Sequence, residues 1–383
     1  MHDSLDLTEL KEEARLFRKR TGWYKHFRKV FLTVIGLTFV LTLLPADQNA
    51  TDTLVPIIKW IVYTGLTIVW IGVSLLIIRE FIYSTRRSFQ RIAHINQYAP
   101  DFVPRLGKWS VFRSPFGLVT ILLVIVGVIL FPDRAFHFYV IYLFAIFFVF
   151  FLYTRAVLRW WDSPTDWIQQ LIARLPKGVN LLASRAVHLL NQGELEEAAE
   201  IFKQILASRS RLLGVYGGIL LNNLGYCLTL NQRYDEALPL LEAAIRIDPG
   251  YPLAYDSLAE WYLAQNLDAE RAVELCEVAV EIAPQFTKDT KCIERATYAR
   301  ALALTGRTAR AEAALKLATE STEKLKPTTI AEVNRQAGYA QFALGNAQAA
   351  RQHFTHALEV SPGSLYAKLA QQALDTLFPT PIA

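Results

Sequence analysis

Apolar residues are distributed in two different ways along this chain. Between residues 30 and 153 the apolar residues form four nearly uninterrupted runs, at 30–44, 54–78, 116–131 and 136–153. From residue 179 onward they recur with the three-to-four-residue spacing of amphipathic helices. The pattern predicts an all-α protein in which a helical transmembrane domain of four spans precedes a solenoid of stacked helices.

The first apolar run is the weakest of the four predicted spans. A transmembrane helix needs about 20 residues, and the run at 30–44 is shorter. The long side chains of Arg28 and Lys29 can extend it by reaching toward the lipid headgroups. A three-span arrangement, in which this run is an interfacial helix, stays open as an alternative.

Basic residues flank the apolar runs asymmetrically. The segment 1–29 holds eight Lys and Arg and the segment 79–113 holds seven, whereas the connections 45–53 and 132–135 share one. The positive-inside rule therefore places both termini and the loop 79–115 in the cytoplasm. Four spans satisfy this bias and three do not. We expect the basic segment 1–29 either to lie on anionic lipid headgroups as an amphipathic helix or to be a solvated leader.

Helix-start and helix-stop residues divide the chain further. Ser163 followed by Pro164 is typical of a helix start, and the sequence Pro-Lys-Gly at 176–178 of a helix end. The predicted segments are a basic amphipathic segment 1–29, a four-span domain 30–161 with its cytoplasmic loop 79–115, an interfacial linker helix 162–178, and a repeat domain 179–383.

The amino-acid composition indicates that the two halves of the chain lie in different environments. The chain is 52% hydrophobic and only 20% charged, against about 25% charged in soluble domains. Its net charge is +9 over residues 1–160 and −4 over residues 161–383. These values exclude intrinsic disorder and collagen-like or disulfide-framework proteins. The three cysteines, Cys227, Cys276 and Cys292, show no paired short spacing, which indicates a reducing compartment.

Two ionisable residues, Lys59 and His137, fall within the predicted spans. An ionisable residue inside a membrane is a candidate functional site. Each of these two residues lies within one or two turns of the predicted outer end, so snorkelling to the interface accounts for both. No Asp or Glu lies in any run, which argues against a proton relay.

The C-terminal half repeats a three-residue marker. Each unit has an alanine, a bulky residue four positions later and a third residue, small in four of the five units, three positions after that. The markers are Ala198/Phe202/Ile205, Ala237/Leu241/Ala244, Ala272/Cys276/Ala279, Ala311/Leu315/Ala318 and Ala350/Phe354/Ala357. The alanines are 39, 35, 39 and 39 residues apart. A periodic marker of this kind predicts helical hairpins that bury their faces only by stacking.

These repeats resemble the tetratricopeptide repeat family over residues 179–362. The second unit carries the resemblance most clearly, with Asn-Leu-Gly-Tyr at 223–226, Tyr-Asp-Glu-Ala at 234–237 and Asp-Pro at 248–249. The resemblance implies five helical hairpins and a capping helix over 364–377. The spacings exceed the family's 34 residues, which predicts lengthened loops or helix ends. The third unit has Asn-Leu-Asp at 266–268 where the family has a glycine turn.

The resemblance also implies a binding surface. In this family the first helices of the units line a concave groove that binds a peptide. The residues expected on that face are Asn222, Asn223, Tyr226, Asp256, Glu260, Arg300, Arg335 and Tyr339. A row of both charge signs with tyrosines favours a mixed-charge peptide with an apolar anchor. An ordinary solvated face is the alternative for each residue.

Signatures of catalysis are missing from the sequence. It contains no glycine-rich phosphate loop, no His-Glu-x-x-His and no Gly-x-Ser-x-Gly. His353 and His356 are three residues apart on a predicted helix, but no third metal ligand is adjacent. The basic loops lack the aromatic pattern of RNA-binding strands. We therefore expect no enzyme activity, no cofactor, no metal and no nucleic-acid partner.

The sequence leads to one functional hypothesis and two alternatives. We expect an integral membrane scaffold or adaptor that binds a protein partner at the cytoplasmic face, for assembly, secretion or maturation of a membrane complex. An excess of arginine over lysine and the lack of an organelle-targeting pattern favour a bacterial plasma membrane. The alternatives make the spans the active element, as a small channel or transporter using Lys59 and His137, or as a structural subunit. The oligomeric state stays open.

Overall fold

The computed structural model describes the C-terminal half of the chain and a few earlier residues. These are residues 5, 8, 12, 90, 93–100, 177–207, 213–283, 288–320, 322 and 325–379. All of them except Gln90 belong to one compact unit made of residues 1–15 and 91–383. The four predicted spans, with Lys59 and His137, and most of the linker 162–178 lie outside the described residues. None of the described helices is long and apolar enough to cross a bilayer.

The C-terminal part of the described chain is a succession of helices. They are α1 Lys177–Gln192, α2 Leu195–Ala207, α3 Leu213–Leu230, α4 Tyr234–Ile247, α5 Pro252–Ala264, α6 Ala269–Ile282, α7 Lys288–Leu304, α8 Thr308–Thr319, α9 Pro327–Ala343, α10 Ala347–Val360 and α11 Leu365–Leu377. Helices α1 to α10 pair into five antiparallel hairpins, and the first helices of successive hairpins pack side by side from α3 to α9. The all-α solenoid predicted for this part of the chain is confirmed.

The first helices account for the repeat spacing. Helices α3, α7 and α9 contain 18, 17 and 17 residues, whereas α5 contains 13. The three long helices fall in the 39-residue intervals and the short one in the 35-residue interval. The extra length predicted for loops or helix ends therefore lies in the first helices themselves.

Small residues allow the two helices of each hairpin to approach closely. Each first helix has one glycine or alanine seven residues before its terminal turn residue, and the five are buried: Ala186, Gly225, Ala259, Ala299 and Gly338. A Cβ added to Gly225 would lie 2.8 Å from the Leu241 side chain, and one added to Gly338 would lie 2.6 Å from the Phe354 ring. The bulky marker of the second helix thus fills the space that a side chain on the first would need.

Every hairpin turns through one residue with a positive φ. These residues are Gly193 (84°), Gln232 (59°), Asn266 (52°), Gly306 (73°) and Gly345 (82°). In each turn the N–H of this residue donates to the carbonyl three residues before it, and the next N–H donates to the carbonyl five residues before its own position. These two hydrogen bonds satisfy carbonyl groups at the C-terminus of the helix.

The third turn departs from the others by one residue. Asn266 takes the left-handed conformation that glycine takes elsewhere, which asparagine tolerates better than most residues. Leu267 is inserted after it and is exposed, and the Asp268 carboxylate then accepts from the N–H of Arg271 at 2.8 Å. The expected glycine turn is therefore replaced by an asparagine turn and a side-chain cap.

The turn residues offer a matched pair of substitutions. We expect Gly306→Ala to lower the free energy of unfolding by about 1 kcal/mol, because an added Cβ meets no atom within 4 Å and the cost is conformational alone. At the equivalent position, Gln232→Gly should raise it by about 0.5–1 kcal/mol. Urea unfolding followed by circular dichroism measures both. Effects of the same sign would contradict the assignment of the two turns.

Two segments from the N-terminal half contact the solenoid. Residues 93–98 form a helical turn in which Ile95 is fully buried, and its side chain lies against Gly217 of α3. His94 Nδ1 donates to the Arg246 carbonyl at 2.9 Å, and the Arg246 guanidinium lies 5.0 Å from the Tyr98 ring centroid. Farther along, Arg271 Nη2 donates to the Leu5 carbonyl at 2.6 Å.

The last helix returns to the first. Lys368 Nζ on α11 donates to the Gln192 carbonyl of α1 at 2.6 Å and lies 4.0 Å from the Glu194 carboxylate. Helix α11 also packs against α9 and α10. The capping helix therefore does more than cover the end of the stack, because it also contacts the first helices α1 and α9.

Candidate functional site

The repeat register brings most of the predicted groove residues into two rows. Counting back ten residues from the left-handed turn residue gives Asn222, Asp256, Ala296 and Arg335 in units two to five. Counting back six residues gives Tyr226, Glu260, Arg300 and Tyr339. The two rows lie one helical turn apart on the same helix faces. Asn223, the eighth predicted residue, is adjacent to the first row.

Glu260 on α5 is the centre of a buried ionic network. Its Oε1 accepts from Arg335 Nη1 at 3.0 Å and lies 3.4 Å from Arg300 Nη1. Its Oε2 accepts from the amide of Gln336. Burial alone would raise the pKa of Glu260, but Arg335 and Arg300 outweigh it and lower that pKa to about 2. Glu260 is thus the carboxylate that balances two buried guanidinium groups.

Aromatic rings support the two arginines. The Arg300 guanidinium lies 4.3 Å from the centroid of the Tyr339 ring, and Arg335 lies 5.9 Å from that of Tyr366. Tyr339 in turn packs edge-on against Phe354 at a centroid distance of 5.1 Å. Stacking on a ring face stabilises a guanidinium that has left water. The network is therefore attached to the core of the fifth hairpin.

A second group joins the second hairpin to the fifth and to the capping helix. The Tyr226 hydroxyl of α3 donates to Glu332 Oε1 of α9 at 3.4 Å, and Glu332 also shares a hydrogen bond with Tyr366 of α11. Burial raises the pKa of Glu332 to about 7, against the lowering effect of Arg335. Burial likewise raises the pKa values of Tyr226 and Tyr366. The two tyrosines therefore remain neutral hydrogen-bonding groups.

Two further carboxyl groups are buried between α5 and α7. Asp256 shares a side-chain hydrogen bond with Thr297, and burial reinforced by the charge of Glu332 raises its pKa to about 8. Glu294 is completely buried, and burial together with Asp256 holds its pKa well above the ordinary value. Carboxyl groups brought together without enough bases favour their protonated forms.

The structure brings most of the predicted residues together, but not as an open row. Arg300 and Arg335 each donate a hydrogen bond to Glu260. Tyr339 stacks on Arg300. Asn222 and Asn223 form a separate pair, with Nδ2 of the first 3.5 Å from Oδ1 of the second. Five of the eight predicted residues are buried, whereas Asn223, Tyr226 and Tyr339 are partly exposed and form a rim. Binding of a partner by these residues stays a prediction.

Four members of the site are not among the predicted residues. They are Glu294, Glu332, Gln336 and Tyr366. Glu332 lies one helical turn before Arg335 and Gln336 directly follows it, so the helical period could have pointed to both. Tyr366 carries no such signal, because only the return of α11 toward α1 brings it to the inner face.

The metal-ligating and nucleophilic side chains of the described residues lie apart from one another or are buried. The described residues include no group of three His, Cys, Asp or Glu that could hold a metal ion. All three cysteines are buried, and burial raises the pKa of Cys227 to about 12. His353 Nδ1 lies within hydrogen-bond distance of Asn334 Oδ1, at 2.8 Å. Burial lowers the pKa of His353. The distinctive feature is a concentration of buried charged and polar groups.

Comparison with a known family agrees with this fold. Residues 185–252 match the tetratricopeptide repeat family. A thermophilic tetratricopeptide-repeat protein of Thermus thermophilus, TTC0263, is 20% identical, with a TM-score of 0.39 over 51% of this chain and 99% of that chain. YrrB, described as having an unusual peptide-binding site, is 17% identical, with a TM-score of 0.30 over 54% and 97%. No curated protein matches the chain. The family match identifies residues 185–252 as tetratricopeptide repeats, and the hairpins that follow continue the same kind of helical solenoid.

Proposed function

We propose that this protein is an integral membrane scaffold of the bacterial plasma membrane. Four spans within residues 30–161 anchor it, both termini are cytoplasmic, and the tetratricopeptide-repeat domain binds a protein partner at the membrane face. The partner belongs to the assembly, secretion or maturation of a membrane complex. Basic segments before and between the spans contact anionic lipid headgroups.

The contacts of Leu5 and of residues 93–99 with the solenoid carry this proposal. Residues that touch one another lie on the same side of any bilayer that the chain crosses. Leu5 contacts Arg271, and Ile95 contacts Gly217. If the chain crosses a bilayer between residues 12 and 93, or between 100 and 177, the number of crossings in each interval is even. The sequence offers two apolar runs in each interval, which supports two pairs of spans.

The inner face supports a role in binding. Stacked helical hairpins present a curved surface built from equivalent positions of successive units. Here that surface carries buried charges beneath the rim of Asn223, Tyr226 and Tyr339. Burial of charged groups costs stability, so their retention favours a role in specificity or recognition. Their concentration at the inner face favours this face as the partner site.

Single cysteines test the topology of the chain. The three native cysteines are buried, so the labelling background is low. We expect Ala50→Cys, in the predicted outer loop, to react with a membrane-impermeant maleimide in intact cells. Glu312→Cys, exposed on α8, should react only after permeabilisation. Labelling of position 312 in intact cells would refute the cytoplasmic placement of the repeats.

A third single cysteine, at the inner rim, tests partner binding. In inverted membrane vesicles, a benzophenone maleimide on Asn223→Cys at the inner rim should cross-link a defined partner. The same reagent on Glu312→Cys, on the outer surface, is the matched control and should not. Capture of the same proteins from both positions, or from neither, would contradict partner binding at the inner face.

A further inference from the structure

The buried inner cluster contains more acids than bases. We define it as the carboxyl groups of Asp256, Glu260, Glu294 and Glu332 together with the guanidinium groups of Arg300 and Arg335. Each of these residues is at most 9% exposed. Both arginines pair with Glu260. The other three carboxyl groups have no ion-pair partner among the residues that the structure describes.

Several atoms of this cluster and of the neighbouring Asn222 are buried without a hydrogen-bond partner in the described part of the chain. The acceptors are Asn222 Oδ1, Asp256 Oδ1 and both carboxyl oxygens of Glu294, and the donors are Arg335 Nε and Nη2. Buried polar atoms in proteins are nearly always paired, because an unpaired one has lost its hydrogen bonds to water without replacement. Six such atoms on four residues around one inner face indicate a site built for something outside the chain.

The chemistry of these atoms defines what would satisfy them. Carboxyl oxygens and an amide oxygen call for N–H donors on a cation, which an ammonium or guanidinium group supplies. The Nε–Nη2 edge of Arg335 calls for a planar acceptor such as a carbonyl or carboxylate. A metal ion is disfavoured, because no described group of three ligands is suitably placed. A basic residue of a polypeptide offers both parts, a cationic side chain and a main-chain carbonyl.

The inner cluster can be reached without disrupting the hairpins. Asn223, Tyr226 and Tyr339 at its rim are partly exposed. The contact between α11 and α1 depends on Lys368, whose side chain is 50% exposed, and on Glu194, at 60%. Exposed ion pairs of this kind contribute little to stability. Movement of α11 away from α1 also breaks the hydrogen bonds of Tyr366 to Glu332 and Tyr226, but it leaves the five hairpins intact.

We propose that the carboxyl groups of Asp256 and Glu294 bind the side chain of a lysine or arginine of the partner, while the free edge of Arg335 binds a carbonyl of the same segment. This inference rests on the proposed function, since it takes a protein as the partner. It defines that partner as a segment with a basic residue. The basic side chain replaces the protons that the buried acids hold in its absence.

Calorimetry on the purified full-length protein in detergent micelles tests this inference. The probes are an acetylated, amidated peptide Ala-Ala-Lys-Ala-Ala and the same peptide with norleucine, which keeps the chain length and removes the charge. We expect the lysine peptide to bind at least tenfold more tightly. At pH 7 its binding should release about one proton, so that the observed enthalpy varies with the ionisation enthalpy of the buffer.

Variants identify the groups responsible. The double variant Asp256→Asn/Glu294→Gln should lose at least tenfold in affinity for the lysine peptide. Glu312→Gln/Glu320→Gln, on the exposed face of α8 and at its C-terminus, changes the net charge equally and should bind like the parent. If the first double variant does not fold, by circular dichroism, Glu294→Gln alone replaces it. Equal binding of the two peptides, binding of neither, or an unaltered affinity in the folded Glu294 variant would overturn the proposal.

The two proposals fail separately. If cross-linking from position 223 captures a partner whose contacting segment has no lysine or arginine, the cation site is wrong and the scaffold function stands. If the lysine peptide binds as expected but position 223 captures no partner, the cation site stands and the proposed function is wrong.

Discussion

Replacing Glu260 by glutamine should destabilise the repeat domain by about 3–5 kcal/mol. The side chain keeps its shape but loses the charge that balances Arg300 and Arg335, both buried. A glutamine also carries one acceptor oxygen where the carboxylate has two, whereas three donors converge on Glu260. Hydrogen exchange followed by mass spectrometry, on peptides from α5 and α9 of the full-length protein, measures the loss of protection directly.

A surface pair provides the control for this substitution. Glu236 and Arg233 form an exposed ion pair at 2.6 Å at the start of α4. Glu236→Gln breaks an Arg–Glu pair of the same chemistry and should cost less than about 1 kcal/mol. Comparable effects of the two substitutions would show that the inner pair is not desolvated, and would contradict the central position of Glu260.

The stability of the repeat domain should fall as the pH rises from about 5 to about 8. In the unfolded chain Asp256 and Glu332 lose their protons near their ordinary pKa values, whereas in the folded chain those pKa values are about 8 and about 7. Between these limits the folded state binds more protons than the unfolded state. Each such group therefore lowers the free energy of unfolding by about 1.4 kcal/mol per pH unit.

Other groups shape the two ends of this profile. Glu294, whose pKa is also raised by burial and by Asp256, adds to the loss at higher pH. Glu260 acts in the opposite direction, since its lowered pKa of about 2 stabilises the fold above its ordinary pKa and that contribution disappears on acidification. Stability should therefore be greatest near pH 4, close to the ordinary pKa values of these carboxyl groups, and decrease on both sides.

Thermal unfolding in detergent micelles between pH 2 and pH 9 measures this profile. The variant Asp256→Asn/Glu332→Gln should be more stable than the parent at pH 8 and should show a flatter profile. The outer-surface variant Glu312→Gln/Glu320→Gln should retain the parental profile. A parent whose stability is constant between pH 5 and pH 8 would mean that these carboxyl groups ionise as freely as in water.

Much of the solenoid could be predicted from the sequence, because a repeat places equivalent residues in equivalent positions. The alanine of each second helix and the bulky residue four positions later mark the hairpin core, as Ala350 and Phe354 do in the fifth unit. The turn of the third unit was harder to predict. Asn266 replaces the glycine and Leu267 is inserted, so the local sequence no longer matched the family's pattern although the backbone takes the same left-handed turn.

The candidate site could be predicted only in part. Helical periodicity was sufficient to place Tyr226, Glu260, Arg300 and Tyr339 on the inner face, because residues at one repeat position share one direction. It could not indicate which of them are buried or what each one contacts. Glu294 shows the limit: nothing in its local sequence distinguishes it from an exposed helical glutamate, yet it is completely buried.

The sequence by itself determined the helices, their pairing into hairpins and the two rows of polar residues on the inner face. These depend on short-range periods and on contacts between neighbours in the chain. Only the tertiary structure decided that Arg335 reaches Glu260 across the intervening α7, that Tyr226 reaches Glu332, and that α11 returns to α1. The physical reason is that the curvature of a solenoid accumulates small rotations at every helix interface. Side-chain packing sets those rotations, and no local pattern of residues records their sum.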